Sequence, residues 1–186
     1  SIGEPTRVSA KALELSYEVM NNFSKTKLDG KKLTFFTTGT VARTAPNILQ
    51  QMVQDGHEVG SHYNFHDLMY KQSGDEIAKN LNIAKESIYK ACGIEPVGFR
   101  APVFSITPDR LEIFQEINKV FKYDSSHVLN LTQHDKAYYK SLEPFNSIAL
   151  VEFPIVPKGF VFGKVQIKSG GTFLRLFSQQ IIKEVM

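Results

Sequence analysis

The chain is 186 residues long, 42% hydrophobic and 22% charged, which fits one folded domain with a substantial core and excludes a disordered chain. Its formal net charge is +3 with Lys and Arg scattered, which gives neither the basic stripe of a nucleic-acid binder nor a polybasic membrane anchor. Cys92 is the only cysteine, so no disulfide forms within the chain, and no apolar run approaches the roughly 20 residues of a membrane helix.

Residues 1–5 read as a loop with no element before it. Apolar positions at Val8, Ala12, Leu15, Val19, Met20 and Phe23 predict an amphipathic helix over residues 8–24. A turn follows at 27–32 around Asp29 and Gly30, then a buried strand over 33–38 that ends at Gly39. Val41, Ala45, Ile48, Leu49 and Met52 predict a helix over 41–55, stopped by Gly56, and residues 57–62 predict a second short strand. The clearest helix covers 74–92. Its apolar face is Ile77, Leu81, Ala84, Ile88 and Ala91, Ser73 and Glu76 have the spacing of a capping box, and Gly93 ends it. Cys92, at that end, reads as a structural thiol. Residues 96–100 form the next strand. Thr107 and Pro108 open a helix through Leu111, Phe114 and Ile117, and strands follow at 121–124 and 147–156. The alternation is that of βα units around a parallel sheet, and both a doubly wound sheet and a barrel fit it. No linker divides the chain, so residues 1–186 are read as a single domain.

Three segments carry residues of chemical interest. In Gly56-His57-Glu58-Val59-Gly60-Ser61-His62-Tyr63-Asn64-Phe65-His66, two histidines stand four apart. A turn or helix brings such a pair onto one side, where neutral imidazoles suit a divalent ion such as zinc. Zinc asks for at least three protein ligands, however, and two histidines at this spacing also occur as plain surface residues. In Phe99-Arg100-Ala101-Pro102-Val103-Phe104-Ser105-Ile106-Thr107, an arginine leaves a strand end, the position where α/β proteins bind ligands. It reads equally as a structural ion-pair partner. In Lys122-Tyr123-Asp124-Ser125-Ser126, Asp124 is either the partner of Arg100 or the cap of a turn.

In this order, and with Thr34-Phe35-Phe36-Thr37-Thr38-Gly39 before them, the segments resemble the polysaccharide deacetylase superfamily, the NodB-homology domain of family 4 carbohydrate esterases. The exopolysaccharide-associated branch is the nearest in pattern, and Gly170-Gly171-Thr172-Phe173-Leu174-Arg175-Leu176 is similar to its late segment. The resemblance spans about residues 32–177. It implies a distorted (β/α) barrel, incomplete in this chain, a carbohydrate substrate and a divalent metal, most commonly zinc. It places His62 and His66 on the metal and makes Arg100 the group that orients a catalytic base. Asp124 becomes the arginine's acidic partner, and the backbone N–H of Val103 faces the oxyanion. Pro102 and Tyr63 fall on the substrate-binding side of the same site, with Tyr63 standing where the family has Ser or Thr.

The family's acidic pair and its late general-acid histidine have no counterpart at the expected places: Glu4 is not a pair, and His127 and His134 come too early. Both are expected outside residues 1–186. The function implied is removal of N-acetyl, secondarily O-acetyl, groups from a carbohydrate. Hydrolysis of a C–N bond in a small amide and an inactive carbohydrate-binding relative are the alternatives.

Overall fold

The computed structural model describes residues 9–106, 110–128 and 148–155, and the backbone of 159–162 and 165–168. Helix α1 (Ala10–Lys27) starts where the Ser9 hydroxyl accepts the Ala12 N–H, and it carries Lys25 and Lys27 in its last turn, favourable against the helix dipole. Its buried side is not the expected stripe. Leu15, Val19 and Met20 are 53%, 67% and 43% exposed, whereas Tyr17 and Ser24 are buried. Polar anchors set this rotation. Tyr17 and Asn21 both donate to the Asp55 carboxylate, and Asn21 also meets His57.

Strand β1 (Thr34–Thr37) leads to α2 (Gly39–Thr44) and α3 (Pro46–Gln54). The single helix expected over 41–55 is therefore two. Pro46 excludes the helical conformation for the residue before it, and Ala45 sits at φ −138°, ψ 56°. Gly39 begins α2 rather than merely closing the strand, with Thr38 as cap. Strand β2 (Glu58–Ser61) precedes α4 (Gly74–Cys92), whose capping box between Ser73 and Glu76 forms as expected and whose Gly93 takes the left-handed conformation at φ 75°. Then come β3 (Gly98–Phe99), α5 (Leu111–Val120), β4 (Tyr123–Asp124) and β5 (Val151–Glu152), with an antiparallel ribbon of β6 (Gly159–Phe162) and β7 (Val165–Lys168). The Thr107-Pro108 helix start, most of the 125–147 segment and the Gly170-Gly171 segment lie outside the described residues.

Strands β1 to β5 pair in sequence order, all parallel. A doubly wound sheet reverses its order at a switch point; this one does not, so the arrangement is the arc of a (β/α) barrel. Two apolar clusters cover its helix side. One joins Val59 to Leu49, Met52 and Ile88; the other joins Phe99 to Leu81, Ile113 and Phe114. Helix α4 supplies both. On the opposite face the sheet is lined by aromatic rings, and Gly98 is required there: a Cβ would lie 2.0 Å from the Tyr123 ring. The carboxyl ends of β2, β3 and β4 come together, and they carry the three segments singled out above. Among the described residues no helix is long and apolar enough to cross a membrane.

Candidate active site

His62 is the first residue after β2. Its N–H donates to the Thr37 carbonyl at 2.7 Å, which continues the ladder one step past the strand, and its Nδ1 lies 2.7 Å from the Arg100 carbonyl oxygen. A carbonyl only accepts, so Nδ1 carries the proton and the Nε2 lone pair is left facing outward. Burial lowers the His62 pKa; the Arg100 carbonyl opposes that shift and His66 adds to it. The imidazole is therefore held neutral. The His66 ring lies 5.1 Å from the His62 ring at 68°. The four-residue spacing thus brings two nitrogen donors together on a turn.

The turn between them is anchored from below. Gly39 and Thr40 N–H groups donate to the Tyr63 and Asn64 carbonyls at 2.9 and 3.0 Å. The Asn64 carboxamide accepts from Arg43 Nη1 at 2.9 Å and donates to Asn80 Oδ1 at 2.9 Å, while Arg43 also reaches Ser87 at 2.8 Å. Tyr63 takes φ 72° and is fully buried, with its hydroxyl on Gln72 Oε1 at 2.7 Å. It lies edge-on to Phe99 in the core. Burial removes it from the substrate side to which the resemblance assigned it.

Arg100 leaves β3 with its guanidinium 4.3 Å above the Phe36 ring. Its fork does not go to Asp124. Nε donates to the Ser125 carbonyl at 3.1 Å and Nη2 to the Ser125 hydroxyl at 2.8 Å. Among the described residues no ion pair joins Arg100 to a carboxylate. The reason is the pleat. Asp124 is the ladder partner of Phe99, so it points to the helix side, while Arg100 and Ser125 point to the other. Asp124, fully buried, accepts from the Ser126 N–H at 2.9 Å and the Ser126 hydroxyl at 2.7 Å, and the Ser126 hydroxyl accepts the Ala101 N–H at 2.8 Å. It therefore reaches the Ala101-Pro102-Val103 turn through one serine. Pro102 is buried under that turn.

Val103 takes φ 55° and ψ 21°, and Phe104 takes φ 51°. A β-branched residue in the left-handed region is a genuine outlier and costs about 1–2 kcal/mol. The turn's own bonds use the N–H groups of Phe104 and Ser105, which donate to Ala101 and Pro102 carbonyls. Val103 is exposed beside them at 64%. Ser125, Ser126, Asn64 and Glu152 were not singled out in the sequence. The hydroxyl pair after Asp124 and the charged residue inside the β-prone run Leu150-Val151-Glu152-Phe153 were the available signals.

The polysaccharide deacetylase family model matches residues 19–120, more than half of the chain. The chain belongs to the polysaccharide deacetylase family. It is similar to the peptidoglycan-N-acetylglucosamine deacetylase of Bacillus cereus, 30% identical over 94 residues, which is 50% of this chain and 34% of that protein. In structure it is similar to a family 4 carbohydrate esterase from Streptomyces lividans, at TM-score 0.50 and 18% identity, covering 64% of this chain and 57% of that one. It is also similar to a family 4 pseudoenzyme from Bacillus anthracis, at TM-score 0.52 and 18% identity, covering 80% and 52%. These structural likenesses concern the fold. The deacetylase domain described here thus spans about a third of the B. cereus relative's length.

Proposed function

We propose that this chain is the core of a metal-dependent deacetylase that hydrolyses N-acetyl groups on a carbohydrate, with His62 and His66 as two ligands of a divalent ion, zinc by preference. The observation that carries the reading is the orientation of His62. Its Nδ1–H is fixed on the Arg100 carbonyl, which leaves the lone pair on Nε2, and the His66 ring lies 5.1 Å from the His62 ring, centroid to centroid. An outer hydrogen bond of this kind sets the tautomer that a metal-binding imidazole needs. Imidazole nitrogens suit a borderline ion such as zinc, which also accepts carboxylate oxygen as a further ligand. No group of three metal-binding side chains stands together among the described residues, and two histidines alone leave zinc short of the three or more protein ligands it takes.

A bound ion supplies a Lewis acid and lowers the pKa of water toward about 7. The residues of this chain do the rest of the positioning. Arg100, held flat by Phe36 and Ser125, presents the remainder of its fork to an incoming carboxylate base. The Val103 N–H, on a turn stiffened by Asp124 through Ser126, donates to the oxygen that gains charge as the amide carbon becomes tetrahedral. A donor fixed in advance stabilises that charge without having to reorganise, and loss of one such donor typically costs about 10²–10³ in rate.

The test is acetate release by the full-length protein from N-acetylglucosamine oligomers and from peptidoglycan, before and after chelation. Release that stops on chelation and returns with zinc supports the reading. Absence of release together with saturable oligosaccharide binding would leave a carbohydrate-binding relative instead.

A further inference from the structure

Glu152 stands opposite Asp124 on the neighbouring strand, Asp124 and Glu152 being ladder partners. As ladder partners their side chains stand side by side on the same face of the sheet. Two buried carboxyls side by side do not both ionise; one keeps its proton. The surrounding bonds say which one carries it. Asp124 accepts on both oxygens, from the Ser126 N–H and the Ser126 hydroxyl. Glu152 accepts the His127 N–H on Oε1 at 3.1 Å, but its Oε2 is buried and has no donor among the described residues. An orphaned buried carboxyl oxygen beside a carboxyl that already accepts on both of its oxygens is explained if it is the donor.

We propose that Glu152 is a positioning residue of the deacetylase site, protonated at neutral pH, whose carboxyl clamps Asp124 and the Ser125–Ser126–His127 turn so that this turn holds Arg100 and Ala101. The inference rests on the deacetylase reading for its catalytic consequence only. The linkage is continuous. Glu152 holds Asp124 and the His127 N–H. Asp124 holds Ser126, and Ser126 holds Ala101. Ser125 holds Arg100, and its hydroxyl is itself tied to the Phe153 carbonyl, next to Glu152, at 2.8 Å. Glu152 touches no reacting atom; it acts through the two serines.

The groups that act on Glu152 are Asp124 beside it on β4, the backbone N–H of His127 and, from the other face of the sheet, the charge of Arg100. Burial raises both carboxyls, Asp124 against its Ser126 hydrogen bonds; for Glu152, burial first and then the Asp124 charge push it up to about 9, against the pull of the His127 N–H and of Arg100. A carboxyl raised above its ordinary 4.5 gives stability that is full below that value and is lost as pH rises toward about 9.

Glu152→Gln separates the alternatives, because an amide keeps the acceptor for His127 and supplies a permanent N–H donor to Asp124. Melting temperature is followed from about pH 5 to about pH 10 for the wild-type, Glu152→Gln and Glu152→Ala proteins, with kcat and KM for N-acetylglucosamine oligomers alongside. The proposal expects the wild-type alkaline fall in Tm to flatten in Glu152→Gln, whose kcat stays within about twofold at neutral pH and extends to higher pH. It expects Glu152→Ala to lose about tenfold in kcat with little change in KM. A Glu152→Gln profile as steep as wild type, or a Gln variant as slow as the Ala variant, overturns it. If the wild-type protein releases no acetate, the deacetylase reading fails instead, and the melting profiles alone decide the proton-sharing pair.

Discussion

Arg100 reaches Ser125 with two nitrogens, Nε to the carbonyl at 3.1 Å and Nη2 to the hydroxyl at 2.8 Å, so the arginine is aimed by a serine one residue beyond the acid that chain order had paired with it. The guanidinium stays charged and partly solvent-facing, while Asp124 works from behind the sheet. This division predicts different consequences for the two residues.

Arg100→Lys keeps the charge and loses the planar fork. Turnover should fall at least about tenfold while the melting temperature changes little, because the core does not depend on the fork. Steady-state kinetics and a thermal melt on the same sample check this. A collapse of stability with unchanged turnover per folded molecule would mark Arg100 as structural.

Ser126→Ala removes the hydroxyl that connects Asp124 to Ala101. It leaves the buried Ala101 N–H without its acceptor and Asp124 with one donor fewer. The expected loss is about 1–3 kcal/mol of stability, read by denaturant unfolding. Ser125→Ala, by contrast, should act mainly on kcat, since Ser125 faces Arg100.

The element alternation, the helix over 74–92 and the three functional segments were legible in the sequence because each rests on local chemistry: a capping box, a period, a strand-ending motif. What sequence could not supply was direction. The pleat that sends Asp124 to one face and Arg100 to the other depends on the register of β3 with β4, a non-local fact. The rotation of α1 was hidden for a similar reason. Tyr17 and Asn21 find Asp55 38 and 34 positions away, and those bonds outweigh the apolar stripe of Leu15, Val19 and Met20. Pro46, however, was readable as a helix break, and Tyr63 gave no sign that its left-handed backbone would turn its ring into the core.

Val103→Gly tests the strained turn. Glycine takes the observed φ of 55° without steric penalty and keeps the backbone N–H. The variant should be about 1 kcal/mol more stable at the turn, offset in part by unfolded-state entropy, and should keep its turnover. A large loss of kcat with unchanged stability would show that the valine side chain, not the N–H, matters.

His57 predicts an acid limb. Its Nδ1 accepts the Leu33 N–H at 3.2 Å, so Nε2 carries the proton that meets Asn21. Protonating Nδ1 would set two donors against each other. Burial, with Lys32, lowers its pKa below the ordinary 6.5. The native state therefore binds fewer protons than the unfolded chain, and this contribution is present above about pH 6.5 and drains as pH falls. Urea unfolding across that window should show stability falling toward acid, and His57→Gln should flatten the slope.

Asn64→Ala should loosen the histidine turn without touching either ring, because it removes the side chain that ties this turn to Arg43 and Asn80. Metal affinity should fall about 10–100-fold with the stoichiometry unchanged at saturation, read by competition with a chelator.

Metal analysis of the purified full-length protein beside His62→Ala and His66→Ala decides whether His62 and His66 hold one divalent ion together. The account predicts one zinc per wild-type chain and a nearly complete loss in either variant, with folding retained by circular dichroism. Unchanged stoichiometry in both variants would contradict it.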